Sequence, residues 1–142
     1  MNQKVRVKRL DPELPLPSYE HAGDAGFDLF AREAVTLAPK ERAQIATGIA
    51  LALPEGCVGL VWDKSGLSHK GGLKVLGGVV DACYRGEVLV GLVNLSSAPY
   101  SFEKGQKVAQ MLIQQVSRVS FEEVAELDET TRGEGGFGST GT

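Results

Sequence analysis

Five stretches of the chain combine residue types that can do chemistry with glycines that let a backbone approach a ligand. The last, from Arg132 through Gly133, Gly135, Gly136, Phe137, Gly138, Ser139 and Thr140 to Thr142, is a Gly-rich arm. Its glycines could turn successive N–H groups toward one anion. Arg132 carries a rigid fork that suits phosphate, and Phe137 could stack on a flat base. A mobile terminal tail would have the same composition. Asp63-Lys64-Ser65-Gly66 follows an apolar run ending at Trp62. A strand leading into a short helix there would aim N–H groups, the Lys64 charge and the Ser65 hydroxyl at an anion, or would simply be a helix cap.

Between two apolar runs lies Gly77-Gly78-Val79-Val80-Asp81-Ala82-Cys83-Tyr84-Arg85-Gly86. A hairpin turn would bring Asp81 and Tyr84 together. Asp81 could then be a general base for a water and Tyr84 a wall for a sugar. The same residues would also serve as a turn former and a packing ring. Asp24 and Asp28, four apart in a stretch with Gly23 and Gly26, suit a turn or a hydrated Mg²⁺. Gln106, Val108 and Gln110 alternate in a way that predicts one shared strand face, with Gln110 facing either a phosphate or solvent.

The elements that must position these residues read as short strands. Val5 and Val7 alternate with basic residues, and Ile49, Leu51 and Leu53 alternate with alanines. Val58, Leu60 and Trp62 share one parity. Residues 87–95 are apolar enough for a strand buried on both faces, and residues 108–116 and 119–121 continue the pattern. Pro12, Pro15, Pro17, Pro39 and Pro54 interrupt any long helical period. One short helix is predicted from Ser65 toward Lys70. The fold class is all-β, a sandwich or barrel. The expected organisation is a β core over 1–121, an acidic connector over 122–131 and the arm over 132–142.

Composition narrows the function. At 142 residues the chain suits one domain, and its net charge of −3 argues against a nucleic-acid-coating protein. No apolar run has the ~18 residues of a membrane span, and the start lacks a signal-peptide core. The expectation is therefore a cytoplasmic protein, with Cys57 and Cys83 as reduced thiols. His21 and His69 join no zinc-ligand spacing, and no G-x-S-x-G elbow supports a serine triad. The chain holds 18 glycines, about twice the usual share. Most of them sit in the five stretches.

In this order, the five stretches resemble the five motifs of the homotrimeric dUTP diphosphatases, the dUTPases. AGDAGFDL, GGVVDACYRG and RGEGGFGSTG are the most specific of them. The resemblance implies a distorted jelly-roll of the β-clip kind and a homotrimer. Each of its three sites would draw on all three chains, with dUTP as substrate and Mg²⁺ as cofactor. It implies hydrolysis to dUMP and diphosphate, which limits uracil in DNA and supplies dUMP for dTMP. Asp81 would activate the water that attacks the α-phosphorus. Tyr84 would pack on the deoxyribose, and the backbone around Gly78 would read uracil. Asp28 would hold Mg²⁺ through water, and Asp24 would be structural. Lys64, Ser65, Gly66 and Gln110 would grip phosphates. Arg132, Gly138, Ser139 and Thr140 would engage the γ-phosphate while Phe137 covers the base.

Lys64 and Lys107 stand where many members carry Arg, and the third motif is about two residues short. The resemblance leaves two rivals: a dCTP deaminase on the same fold, and a nucleotide sensor without turnover.

Overall fold

The computed structural model describes residues 3–139 and 141. Ten strands and one short helix form in the order β1 Arg6–Arg9, β2 Phe27–Phe30, β3 Val35–Leu37, β4 Arg42–Ala52, β5 Cys57–Trp62, α1 Ser65–His69, β6 Leu73–Leu76, β7 Val79–Asp81, β8 Glu87–Asn94, β9 Tyr100–Phe102 and β10 Lys107–Gln115. Two four-stranded sheets, β1-β4-β8-β6 and β2-β10-β5-β7, enclose the core, and β3-β9 form a small third sheet. Every pairing is antiparallel. Between β5 and β8 the chain changes sheet at each step, which gives the jelly-roll-like connectivity.

Period-two patterning produces this arrangement directly. Along β8, Val88, Val90, Leu92 and Asn94 point inward and are buried. They meet Leu29, Val108 and Met111 from the facing sheet in one cluster, with the polar Asn94 at its edge. Asn94 is fully buried but satisfied. Its Nδ2 donates to the Leu37 and Ala98 carbonyls at 3.0 and 2.8 Å, and its Oδ1 accepts from Ser96. The expectation that β8 is buried on both faces does not hold for one chain, since Leu89 on the outer face is 43% exposed.

Two further expectations change. β10 carries a bulge between Lys107 and Ala109, so Val108 and Ala109 are both buried. Gln106 precedes the strand and accepts the Glu103 N–H through its own amide oxygen. It therefore does not share a strand face with Val108 and Gln110. No strand covers 119–121: β10 ends at Gln115, and the chain then runs irregularly with Val119 69% and Phe121 95% exposed.

Candidate functional site

Strand register brings three separate stretches of sequence to one cleft. Gln110 of β10 pairs with Asp28 of β2 on one side and with Trp62 of β5 on the other. Lys64 and Ser65 follow Trp62 at the start of α1. The resulting cleft of about 230 Å³ is lined by Glu20, Asp24, Gly26, Asp28, Lys64, Ser65 and Gln110 among others.

Asp28 is buried there and carries two cations. Lys64 Nζ lies 2.5 Å from Oδ1 and Lys107 Nζ 3.0 Å from Oδ2. Lys107 also reaches Glu20 at 3.0 Å. Burial raises the Asp28 carboxyl, but the hydrogen bonds and charges of Lys64 and Lys107 outweigh it. The group is held below its ordinary value of 3.8. Its contribution to stability is therefore complete above that value and is lost as the pH falls through the lower folded pKa. In urea unfolding, the stability advantage of the parent over Asp28→Asn is expected to shrink on acidification below 3.8. An advantage that persists unchanged in strong acid would contradict the pairing.

The Gln110 amide is tightly placed. Its Nε2 donates to the Asp63 carbonyl at 2.8 Å. A Cβ added at Gly26 would lie 2.5 Å from its Oε1. Gly26→Ala is expected to push Gln110 out of the cleft with the fold retained, because the obstructed atom ends a flexible side chain, and, on the expectation that Gln110 grips a phosphate, to weaken triphosphate binding about tenfold. Isothermal calorimetry with a non-hydrolysable dUTP analogue checks this. Asp24 forms a turn: its Oδ2 accepts the His21 N–H at 2.9 Å. A Cβ added at Gly66 would meet nothing within 4 Å.

Asp81 and Tyr84 lie elsewhere. They are joined by a turn, with the Tyr84 N–H donating to the Asp81 carbonyl at 3.1 Å, and the Tyr84 hydroxyl donates to the Glu87 carbonyl at 2.8 Å. The expected hairpin does not form, because β7 pairs with β5 in one sheet while β8 lies in the other. Gly77 and Gly78 make the sharp turn ahead of β7 at φ 68° and 117°. The Gly78 carbonyl accepts the Val61 N–H at 2.8 Å, and a Cβ at Gly78 would meet the Val61 carbonyl oxygen at 2.7 Å. Only glycine fits there.

A cleft of about 220 Å³ at this turn is lined by Val79, Asp81, Tyr84, Glu87 and Leu89 among others. It shares no lining residue with the Asp28–Gln110 cleft. On β5, Asp81 pairs with Val58 while Gln110 pairs with Trp62 on the opposite edge of the strand. Strand rise and spacing then put Asp81 and Gln110 about 16 Å apart. The two halves of the expected site do not converge within one chain.

The arm forms a third, separate group. Arg132 Nε donates to the Gly135 carbonyl at 2.6 Å, and Gly136 N–H donates to the Ser139 hydroxyl at 2.7 Å. Phe137 is fully exposed at φ 48°, and Gly138 also has positive φ. Thr140 lies outside the described residues. No group of three His, Cys, Asp or Glu side chains that could hold a metal occurs among the described residues.

Sequence reading passed over Glu20 and Asp63 as site residues. Glu20 meets Lys107 across 87 positions, which no local pattern announces. Asp63 directly precedes Lys64, and that adjacency was the available signal.

The dUTPase family model matches residues 12–141. The deoxyuridine 5'-triphosphate nucleotidohydrolase of Thermobifida fusca is 52% identical over 141 residues, covering 97% of this chain and 79% of that protein. The enzyme of that name from Corynebacterium diphtheriae is 51% identical, covering 96% and 92%. A Staphylococcus bacteriophage 80alpha dUTPase variant with dUpNHpp superposes with TM-score 0.92 at 31% identity, covering 99% of this chain and 100% of that one. A phage phi11 dUTPase variant, studied for coordination of a structural Mg(II) ion, gives 0.83 at 28% identity, covering 89% and 100%.

Proposed function

Because the chain belongs to the dUTPase family, the dUTP diphosphatases, we propose that it hydrolyses dUTP to dUMP and diphosphate at sites each assembled from several copies, as a homotrimer. The observation that carries the shared-site reading is the register on β5: Asp81 pairs with Val58 and Gln110 with Trp62 on the opposite edge, which strand rise and spacing put about 16 Å apart. A base must lie within hydrogen-bond reach of the water it activates. If Gln110 grips the same nucleotide, Asp81 must come from another copy. The apolar side chains left on the surface, Leu76, Val79, Leu89, Phe121 and Leu127, supply faces that association would cover.

In this reading Asp81 takes a proton from the water attacking the α-phosphorus. Tyr84 packs on the deoxyribose and leaves no room for a 2′-hydroxyl, while the backbone beside Gly78 pairs with uracil's edge. Lys64, Ser65 and Gln110 of a second copy hold the phosphates. Residues 132–142 form an arm hinged on the acidic connector 122–131, beyond the core at 1–121. Arg132, Ser139 and Thr140 of the arm engage the γ-phosphate, and Phe137 covers the base and excludes water.

The residues fit Mg²⁺ in one way only. Asp28 faces the cleft with both oxygens already accepting ammonium protons, and no three-residue ligand set lies nearby among the described residues. They suit a hydrated ion whose direct ligands are phosphate oxygens, with Asp28 accepting from its waters. Such an ion would neutralise charge on the leaving diphosphate. No helix among the described residues is long and apolar enough to cross a membrane. A cytoplasmic place, supplying dUMP for dTMP synthesis, completes the reading.

Incubation with dUTP, dCTP, dTTP or UTP and Mg²⁺ tests it. Diphosphate is expected from dUTP alone. Ammonia from dCTP would replace this reading with a deaminase, and tight dUTP binding without turnover would replace it with a sensor.

A further inference from the structure

Asp63 makes three contacts in three directions. It sits between the end of β5 and the start of α1. Its Oδ1 accepts the Val75 N–H at 2.6 Å, and its Oδ2 accepts Lys74 Nζ at 2.6 Å. Both partners lie on β6, in the other main sheet. Its main-chain carbonyl accepts Gln110 Nε2 at 2.8 Å. Its side chain is only 18% exposed.

Two features make this placement consequential. Lys64, at the N-cap of α1, makes no side-chain capping hydrogen bond, so the turn into the helix is not held by its own cap. The carboxylate of Asp63, fastened to β6, holds that turn instead. Gln110 also has two ends of opposite character. An amide nitrogen carries two hydrogens, and the Asp63 carbonyl takes one of them. The other remains for a phosphate oxygen. A Gln110 turned end for end would present its own oxygen to the anion.

We propose that Asp63 is a positioning residue for triphosphate recognition: its carboxylate, anchored on Val75 and Lys74 across the two sheets, fixes both the Lys64–Ser65 turn and the donor end of Gln110. The inference rests on the reading of Lys64, Ser65 and Gln110 as phosphate contacts. It adds a residue that touches no ligand and acts through all three.

Calorimetry with dUpNHpp and, separately, with dUMP tests this on the 142-residue chain. Asp63→Ala is expected to weaken dUpNHpp binding about tenfold while dUMP binding stays within about twofold. Asp63→Asn keeps an acceptor for the Val75 N–H and is expected to recover most of the loss. Asp63→Ser, too short to reach Val75, gives the same split should the alanine chain fail to fold. Loss of both ligands in parallel, or of neither, overturns the proposal. Gln110→Ala and Ser65→Ala run alongside. If both bind dUpNHpp as the parent does, the phosphate reading itself fails. If they weaken it and Asp63→Ala does not, only the positioning role fails.

Discussion

Asp81→Asn is expected to fold like the parent, bind dUpNHpp with near-parent affinity, and lose on the order of a thousandfold in kcat. The residue ends β7 and is exposed, so replacing one oxygen with an amide nitrogen disturbs no packing. In the proposed reading, binding energy would come from the phosphate contacts, the uracil-facing backbone and the Tyr84 wall, none of which the substitution removes. What disappears is an acceptor for the proton of the attacking water. General bases contribute roughly 10²–10⁴ in rate, which sets the size of the loss. The readout is steady-state diphosphate release, with circular dichroism and calorimetry as controls. A kcat within a few-fold of the parent would remove Asp81 from the chemistry.

Removing residues 132–142 should be nearly as damaging to turnover and harmless to the fold. The arm's hydrogen bonds among described residues run within residues 130–141, as from Gly133 N–H to the Thr130 hydroxyl and from Ser139 N–H to the Gly136 carbonyl. Its loss therefore leaves the β core with its contacts intact. In the proposed reading, the γ-phosphate would lose Arg132 and Ser139, and without Phe137 the base would stay open to water. Positioning and water exclusion of this kind are worth several kcal/mol, so kcat/KM should fall at least ~100-fold. The melting temperature should barely move. A truncated chain with parent activity would contradict the closing role of the arm.

Much of this was legible in the chain itself, for reasons visible in particular residues. Alternation at Ile49–Leu53 marked a strand because an antiparallel sheet buries one face and the period-two pattern follows. In β5 the strand is present but the core takes the other parity: Val61 joins the core cluster while Trp62, on the parity of Val58 and Leu60, is 53% exposed. Ser65-Gly66 after Trp62 marked the short helix. β8 misled because its outer face carries Leu89, and apolar residues on both parities read as two-sided burial whether the second cover is the same chain or another copy. The bulge at Lys107–Ala109 left no trace, because Lys-Val-Ala-Gln suits either register. The Asp81–Tyr84 stretch resembled a hairpin, since local turn signals do not say to which sheet each flanking strand goes. The Lys107–Asp28 and Gly26–Gln110 contacts are tertiary, and only folding brings them together.

The shared site is the central claim, and mixing two inactive variants tests it most directly. Asp81→Asn chains keep the arm, and chains lacking 132–142 keep Asp81. Each alone should be nearly inactive. Refolded together, they should form mixed assemblies in which an intact Asp81 from one chain meets an intact arm from another, and dUTP hydrolysis should rise well above the sum of the separate preparations. If each chain held a complete site of its own, the mixture would remain at that sum.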